Sequence, residues 1–94
     1  MYHGEYKTVG GKLVIVDFDI VNDQLTNVSV SGDFFLEPAE ALEQINRAIE
    51  GFPVAVSQEI LATAILDALD PGVEMIGFSP EAVAIAVRRG IDGV

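Results

Sequence analysis

The chain has 94 residues, half of them hydrophobic, with fifteen acidic side chains against five basic ones and a formal net charge of −10. That length suits one small domain, residues 1–94, and leaves no room for a catalytic domain with its own cofactor cradle. The charge argues against nucleic acid and anionic membranes, which gain affinity from basic patches that Lys7, Lys12, Arg47, Arg88 and Arg89 do not make.

Cysteine is absent, which removes a disulfide framework, a thiolate nucleophile and a sulfur-ligated metal. The amino end lacks the basic and apolar regions of a signal peptide, and no apolar run approaches the roughly 20 residues of a membrane span, so the expected compartment is cytoplasmic. The acids either keep a hydrophobic small domain soluble or match a basic face on another protein.

Tyr2 to Thr8 is strand-compatible, and Val9-Gly10-Gly11 supplies a hairpin turn. Lys12 to Val21 is β-branched and aromatic, with Val14, Val16, Phe18 and Ile20 on one face and Asp17 and Asp19 on the other: a strand packed on one side. Asn22-Asp23 is a second turn. Leu25 to Ser31 alternates again, setting Thr26, Val28 and Val30 against Asn27, Ser29 and Ser31. Gly32-Asp33 ends this meander, Phe34, Phe35 and Leu36 form an apolar knot, and Pro38 predicts a helix starting near Glu37.

That helix carries Leu42, Ile45 and Ile49 at helical spacing and closes at Gly51. Ser57 is the predicted N-cap of a second helix whose apolar residues, from Ile60 to Leu69, spread too far around the axis for a helix buried on one side. Asp70-Pro71-Gly72 stops it, and a loop through Met75 and Phe78 leads to Ser79-Pro80-Glu81, where N-cap, first helical residue and acidic first turn coincide. The third helix ends in Arg88 and Arg89, with Gly90 as its expected C′ residue. The fold class is therefore α+β, a three-stranded antiparallel sheet followed by three helices packed on one face.

Few residues could carry chemistry. His3 is the only histidine and has no arranged acid beside it in sequence. Gly10-Gly11-Lys12 opens a strand, whereas a phosphate loop opens a helix. Asp17 and Asp19 share a strand face with no third ligand at metal spacing. Asp33 either fixes the turn by accepting backbone N–H bonds or presents a charge to a partner. Phe34 and Phe35, being adjacent and extended, point to opposite sides; either both serve the core, or one fills the core and the other an interface.

Taken together, Lys7, Gly10-Gly11-Lys12-Leu13-Val14, the Asn22-Asp23 turn, and Gly32-Asp33-Phe34-Phe35-Leu36-Glu37-Pro38 followed by Glu40-Ala41-Leu42 resemble the accessory domain of lipoate-protein ligases. The Gly-Asp-Phe-Phe run before a proline-started helix is the most specific part; the last third matches chiefly in helical pattern. In that family the domain is either the carboxyl-terminal part of a single-chain ligase or a separate small protein, and this chain looks like the separate form.

The resemblance implies a heterodimer with a catalytic subunit that binds lipoate, ATP and magnesium, forms lipoyl-adenylate and passes the lipoyl group to an acyl-carrier domain. The accessory chain is then no enzyme on its own but is required for the adenylation step. It holds no catalytic, cofactor-binding or metal residues, and Asp33, Phe34, Phe35, Lys7 and Lys12 are the expected partner interface. The alternative is a stand-alone small-molecule-binding or regulatory module without a ligase partner. A sulfur-transfer scaffold has a similar order of elements but needs thiolates.

Overall fold

A computed structural model describes residues 1–93. Strands β1 (Tyr2–Lys7), β2 (Leu13–Val21) and β3 (Gln24–Gly32) form an antiparallel sheet in that order. A short strand β4 (Phe35–Glu37) follows, then helices α1 (Ala41–Ile49) and α2 (Gln58–Ala68), strand β5 (Glu74–Ile76) and helix α3 (Pro80–Asp92). The α+β class holds, with one correction: β4 and β5 pair as a separate two-stranded ribbon, so the helices do not simply follow the sheet.

The inner face of the sheet is buried at Val14, Val16, Phe18, Leu25, Val28 and Val30. Helices α1 and α3 rest on it, and α2 packs on those two, contributing Leu61, Ala62 and Ile65 to the same core. The alternation expected for β3 breaks at a bulge, where Asn27 (φ 50°) and Val28 together oppose Phe18. The extra residue turns Leu25 inward and leaves Thr26 half-buried, so leucine takes the core position assigned to threonine.

Two helix boundaries also differ from expectation. Phe35–Glu37 is taken up by the ribbon, and Pro38 opens a run of tight turns in which Ala41, Leu42 and Glu43 N–H groups donate to the carbonyls of Pro38, Ala39 and Glu40. The helix therefore starts at Ala41, not near Glu37. Gly90 is not C′ but a buried interior residue of α3, which runs on to a left-handed Gly93 whose N–H donates to the Arg89 carbonyl. Ser57 and Ser79 cap α2 and α3 as expected, accepting from the N–H groups of Ile60 and Ala82.

Gly4 and Gly90 explain why α3 sits so low on the sheet. A methyl on Gly4 would overlap the Ala86 carbonyl oxygen and lie 2.7 Å from the Gly90 nitrogen, and one on Gly90 would lie 2.8 Å from the Phe18 ring. Arg88 locks the helix from its other side, donating to the carbonyls of Val54 (2.6 Å) and Val56 (3.0 Å) in the segment before α2. No helix among the described residues is long and apolar enough to cross a membrane.

Gly4→Ala should force α3 off the sheet and cost about 1–3 kcal/mol of stability in chemical denaturation, a range typical of overpacking. Ser29→Ala, on the exposed face, should stay within about 0.5 kcal/mol of the parent. Equal stability of Gly4→Ala and the parent would contradict the close approach.

Candidate functional site

Four of the five interface residues expected from sequence converge at the end of the sheet where β2 begins, and the fifth, Lys7, stands directly across the ladder from Leu13. Asp33 builds this corner. Its carboxylate accepts from the Leu13 N–H (2.7 Å), and its own N–H donates to the Leu13 carbonyl (3.3 Å). The acid thus closes the last rung between β2 and β3 and turns the chain toward β4, the structural one of its two readings.

The neighbouring phenylalanines divide as extended geometry requires. Phe34 turns inward and stacks on buried Phe78, ring centroids 3.8 Å apart and planes inclined by 18°. Phe35 points outward and is 64% exposed. Its cross-strand partner on β5 is Ile76, itself 49% exposed, so the ribbon presents two large apolar side chains on one face. Glu37 lies opposite Glu74 one step further along the same face, two like charges that repel each other unless a cation approaches. Between the ribbon and α1 runs a groove of about 430 Å³, lined by Phe34, Phe35, Leu36 and Leu42.

Lys12 leaves its hairpin across Gly77: its N–H donates to the Gly77 carbonyl (3.1 Å), and its aliphatic stem fills the space a side chain at Gly77 would need. The Thr8 hydroxyl donates to that same carbonyl (3.1 Å). The β1–β2 hairpin is therefore tied to the ribbon. Gly10-Gly11-Lys12 is a hairpin tip without the helix N-terminus a phosphate loop uses. Lys7 and Lys12 are exposed and make no ion pair among the described residues.

Sequence reasoning missed Ile76 and Glu74, which were read as loop. Three alternating residues between Gly72 and Gly77 are too short to show a period, and they are a strand only because β4 lies beside them. Surplus apolar surface on α2 does remain outside: Ile60 is 55% and Leu66 is 60% exposed. These two lie about 120° apart around the axis and make no joint patch, unlike Phe35 and Ile76.

Three of the polar side chains with chemical potential are engaged within the fold. Ser57 and Ser79 cap helices, and both His3 ring nitrogens face carboxylates, Nδ1 at 2.6 Å from Asp17 Oδ1 and Nε2 at 2.6 Å from Glu5 Oε2. The fold brings Asp17 to His3 across the ladder, while Glu5, two residues on along the same strand face, corrects the expectation that no acid is arranged beside His3 in sequence. Among the described residues no three histidine, aspartate or glutamate side chains converge to hold a metal.

Fold and surface together define an α+β protein with an exposed apolar ribbon. The chain is similar to the small partner in a solved archaeal lipoylation system, a bi-partite lipoate protein ligase and its E2 lipoyl domain from Thermoplasma acidophilum. The two are 25% identical, the match covers 94% of each chain, and the TM-score is 0.74. No protein-family model matches the sequence, and no curated protein matches it significantly.

The Glu5 carboxylate first, and the Asp17 carboxylate second, hold the His3 imidazolium above the ordinary histidine pKa of 6.5. Because the folded state favours the protonated ring, this contribution to stability is complete below the unfolded value of about 6.5 and is lost as pH rises through the raised folded value. NMR titration of His3 should give a midpoint above 6.5, lowered by Glu5→Gln and by Asp17→Asn; a midpoint at or below 6.5 in the parent would contradict the pairing.

Proposed function

We propose that the chain is the non-catalytic accessory subunit of a two-part lipoate-protein ligase, a single domain working in the cytoplasm as a heterodimer with a separate catalytic chain. The observation that carries this reading is the match over nearly all of both chains to the small partner of the Thermoplasma ligase. The family resemblance of the Gly32–Pro38 run supports it independently. In this reading ATP, magnesium and lipoate belong to the catalytic chain.

In this reading Phe35 enters an apolar recess of the partner together with Ile76, and Asp33 and Phe34 hold it in place from behind. Burying such a pair stabilises a complex by on the order of 1.5–3 kcal/mol per side chain, before the costs of association. Glu37 and Glu74 ask for a basic residue beside that recess, and Lys7 and Lys12 face the partner or its nucleotide. Docking favours the catalytic chain's adenylation-competent state, so lipoate is activated to lipoyl-adenylate and transferred to an acyl-carrier domain.

Phe35→Ala combined with Ile76→Ala should leave folding within about 1 kcal/mol of the parent, because both side chains are already exposed, yet abolish co-elution with the catalytic subunit of the same organism. Phe34→Ala should instead lower stability by about 2–4 kcal/mol through loss of the stack on Phe78. A folded double variant that still binds and activates the catalytic chain would show that the ribbon is not the docking site.

A further inference from the structure

The two edges of the three-stranded sheet are treated differently, and the difference can be read from the ladder. In an antiparallel pair, opposed residues alternate between bonded and unbonded positions. Thr8 N–H donates to the Lys12 carbonyl and Asp33 N–H to the Leu13 carbonyl, so even-numbered residues of β2 bond to β1 and odd-numbered ones to β3 up to the bulge. On β1 the bonded residues are Tyr2, Gly4 and Tyr6. The main-chain groups of His3, Glu5 and Lys7 point out of the sheet.

On the far edge, three outward N–H groups along β3 are answered from within the chain. Val30 donates to Asn46 Oδ1 (2.9 Å), Val28 to Glu50 Oε2 (3.1 Å) and Leu25 to the Phe52 carbonyl (2.9 Å). Helix α1 and the segment after it close that edge. On β1 nothing comparable exists among the described residues: the Glu5 carbonyl accepts from Arg89 Nη1 (3.3 Å), and the N–H groups of His3, Glu5 and Lys7 and the carbonyls of His3 and Lys7 have no partner. A row of unpaired donors and acceptors at two-residue spacing is a template for one kind of ligand, an extended backbone.

We propose that β1 is a strand-addition site, taking an extended segment of the catalytic chain as a fourth strand alongside Tyr2–Lys7; this rests on the accessory-subunit reading above. A second copy of this chain is the poorer occupant. Helix α3 lies over β1, and two copies joined edge to edge at the roughly 4.8 Å spacing of strands would bring their α3 helices closer than the 8–10 Å that packed helices need.

The charge of −10 likewise favours a basic partner over self-association. The site is also continuous with the ribbon. Lys7 leads into Thr8, whose hydroxyl reaches the carbonyl of Gly77, the residue after Ile76. One partner surface therefore meets both.

The test uses the full chain with the lipoate-protein ligase catalytic subunit of the same organism. Glu5→Pro removes one outward N–H and no rung of the β1–β2 ladder, so the protein should fold while affinity falls. Glu5→Ala removes the same carboxylate but keeps the N–H, and the loss with proline should exceed the loss with alanine by about tenfold. Hydrogen exchange on the unmutated complex provides a measurement independent of folding of the variant: the amides of His3, Glu5 and Lys7 should become protected on binding. A complex in which these amides exchange as fast as in the free chain, or which Glu5→Pro joins as tightly as Glu5→Ala, overturns strand addition and leaves the accessory reading standing. Absence of any complex between the unmutated proteins overturns both.

Discussion

Helix α3 and strand β1 touch backbone to backbone, and most of the molecule is arranged around that contact. Gly4 leaves no side chain between its strand and the Ala86 turn of the helix, and Gly90 leaves room for the Phe18 ring. Ala82, Val83, Ala86 and Val87 are then buried against the sheet and α2. Because α3 sits low over one edge strand, α1 is left to cover the other side, where Asn46 and Glu50 reach the free amides of β3. The one guarded edge and one open edge both follow from where α3 lies.

The same placement organises the exposed ribbon. The N-terminus of α3 is fixed by Ser79 capping and by Phe78 stacking on Phe34, so the strand just before it, β5, is held beside β4. Phe34 buries itself to make that junction, and its neighbour Phe35 is thereby committed to the outside. Exposed Phe35 and Ile76 with opposed Glu37 and Glu74 form a poor free surface, apolar and self-repelling, that becomes a good one against an apolar recess flanked by a cation. The proposed heterodimer gives both features a purpose.

Much of this was legible in the residues because local chemistry agreed with the final packing. Period-two alternation in β2, the Ser57 and Ser79 caps, and the proline, aspartate and glycine stop after α2 each specify their element alone. The errors fall where a distant part of the chain decides. Nothing local distinguishes Gly90 as a packing residue from a C′ glycine until Phe18 is seen beneath it. The bulge at Asn27 swaps Thr26 for Leu25 because burying leucine outweighs regular alternation. β4 and β5 are three residues each and exist only as a pair. On the ribbon, the opposite facing of Phe34 and Phe35 was readable from their order, whereas Ile76 lies 41 positions after Phe35, a separation only the fold closes. Of the two acids on His3, Asp17 reaches it only across the ladder, whereas Glu5, at i+2 on the same strand face, was already visible in the sequence.

The most direct measurement is lipoyl-adenylate formation by the catalytic subunit of the same organism, supplied with ATP, magnesium and lipoate, with and without this chain. Adenylate appearing only when both proteins are present, in proportion to the complex formed, is the result expected of an accessory subunit. Full adenylation by the catalytic subunit alone, with no change on adding this chain, would contradict it.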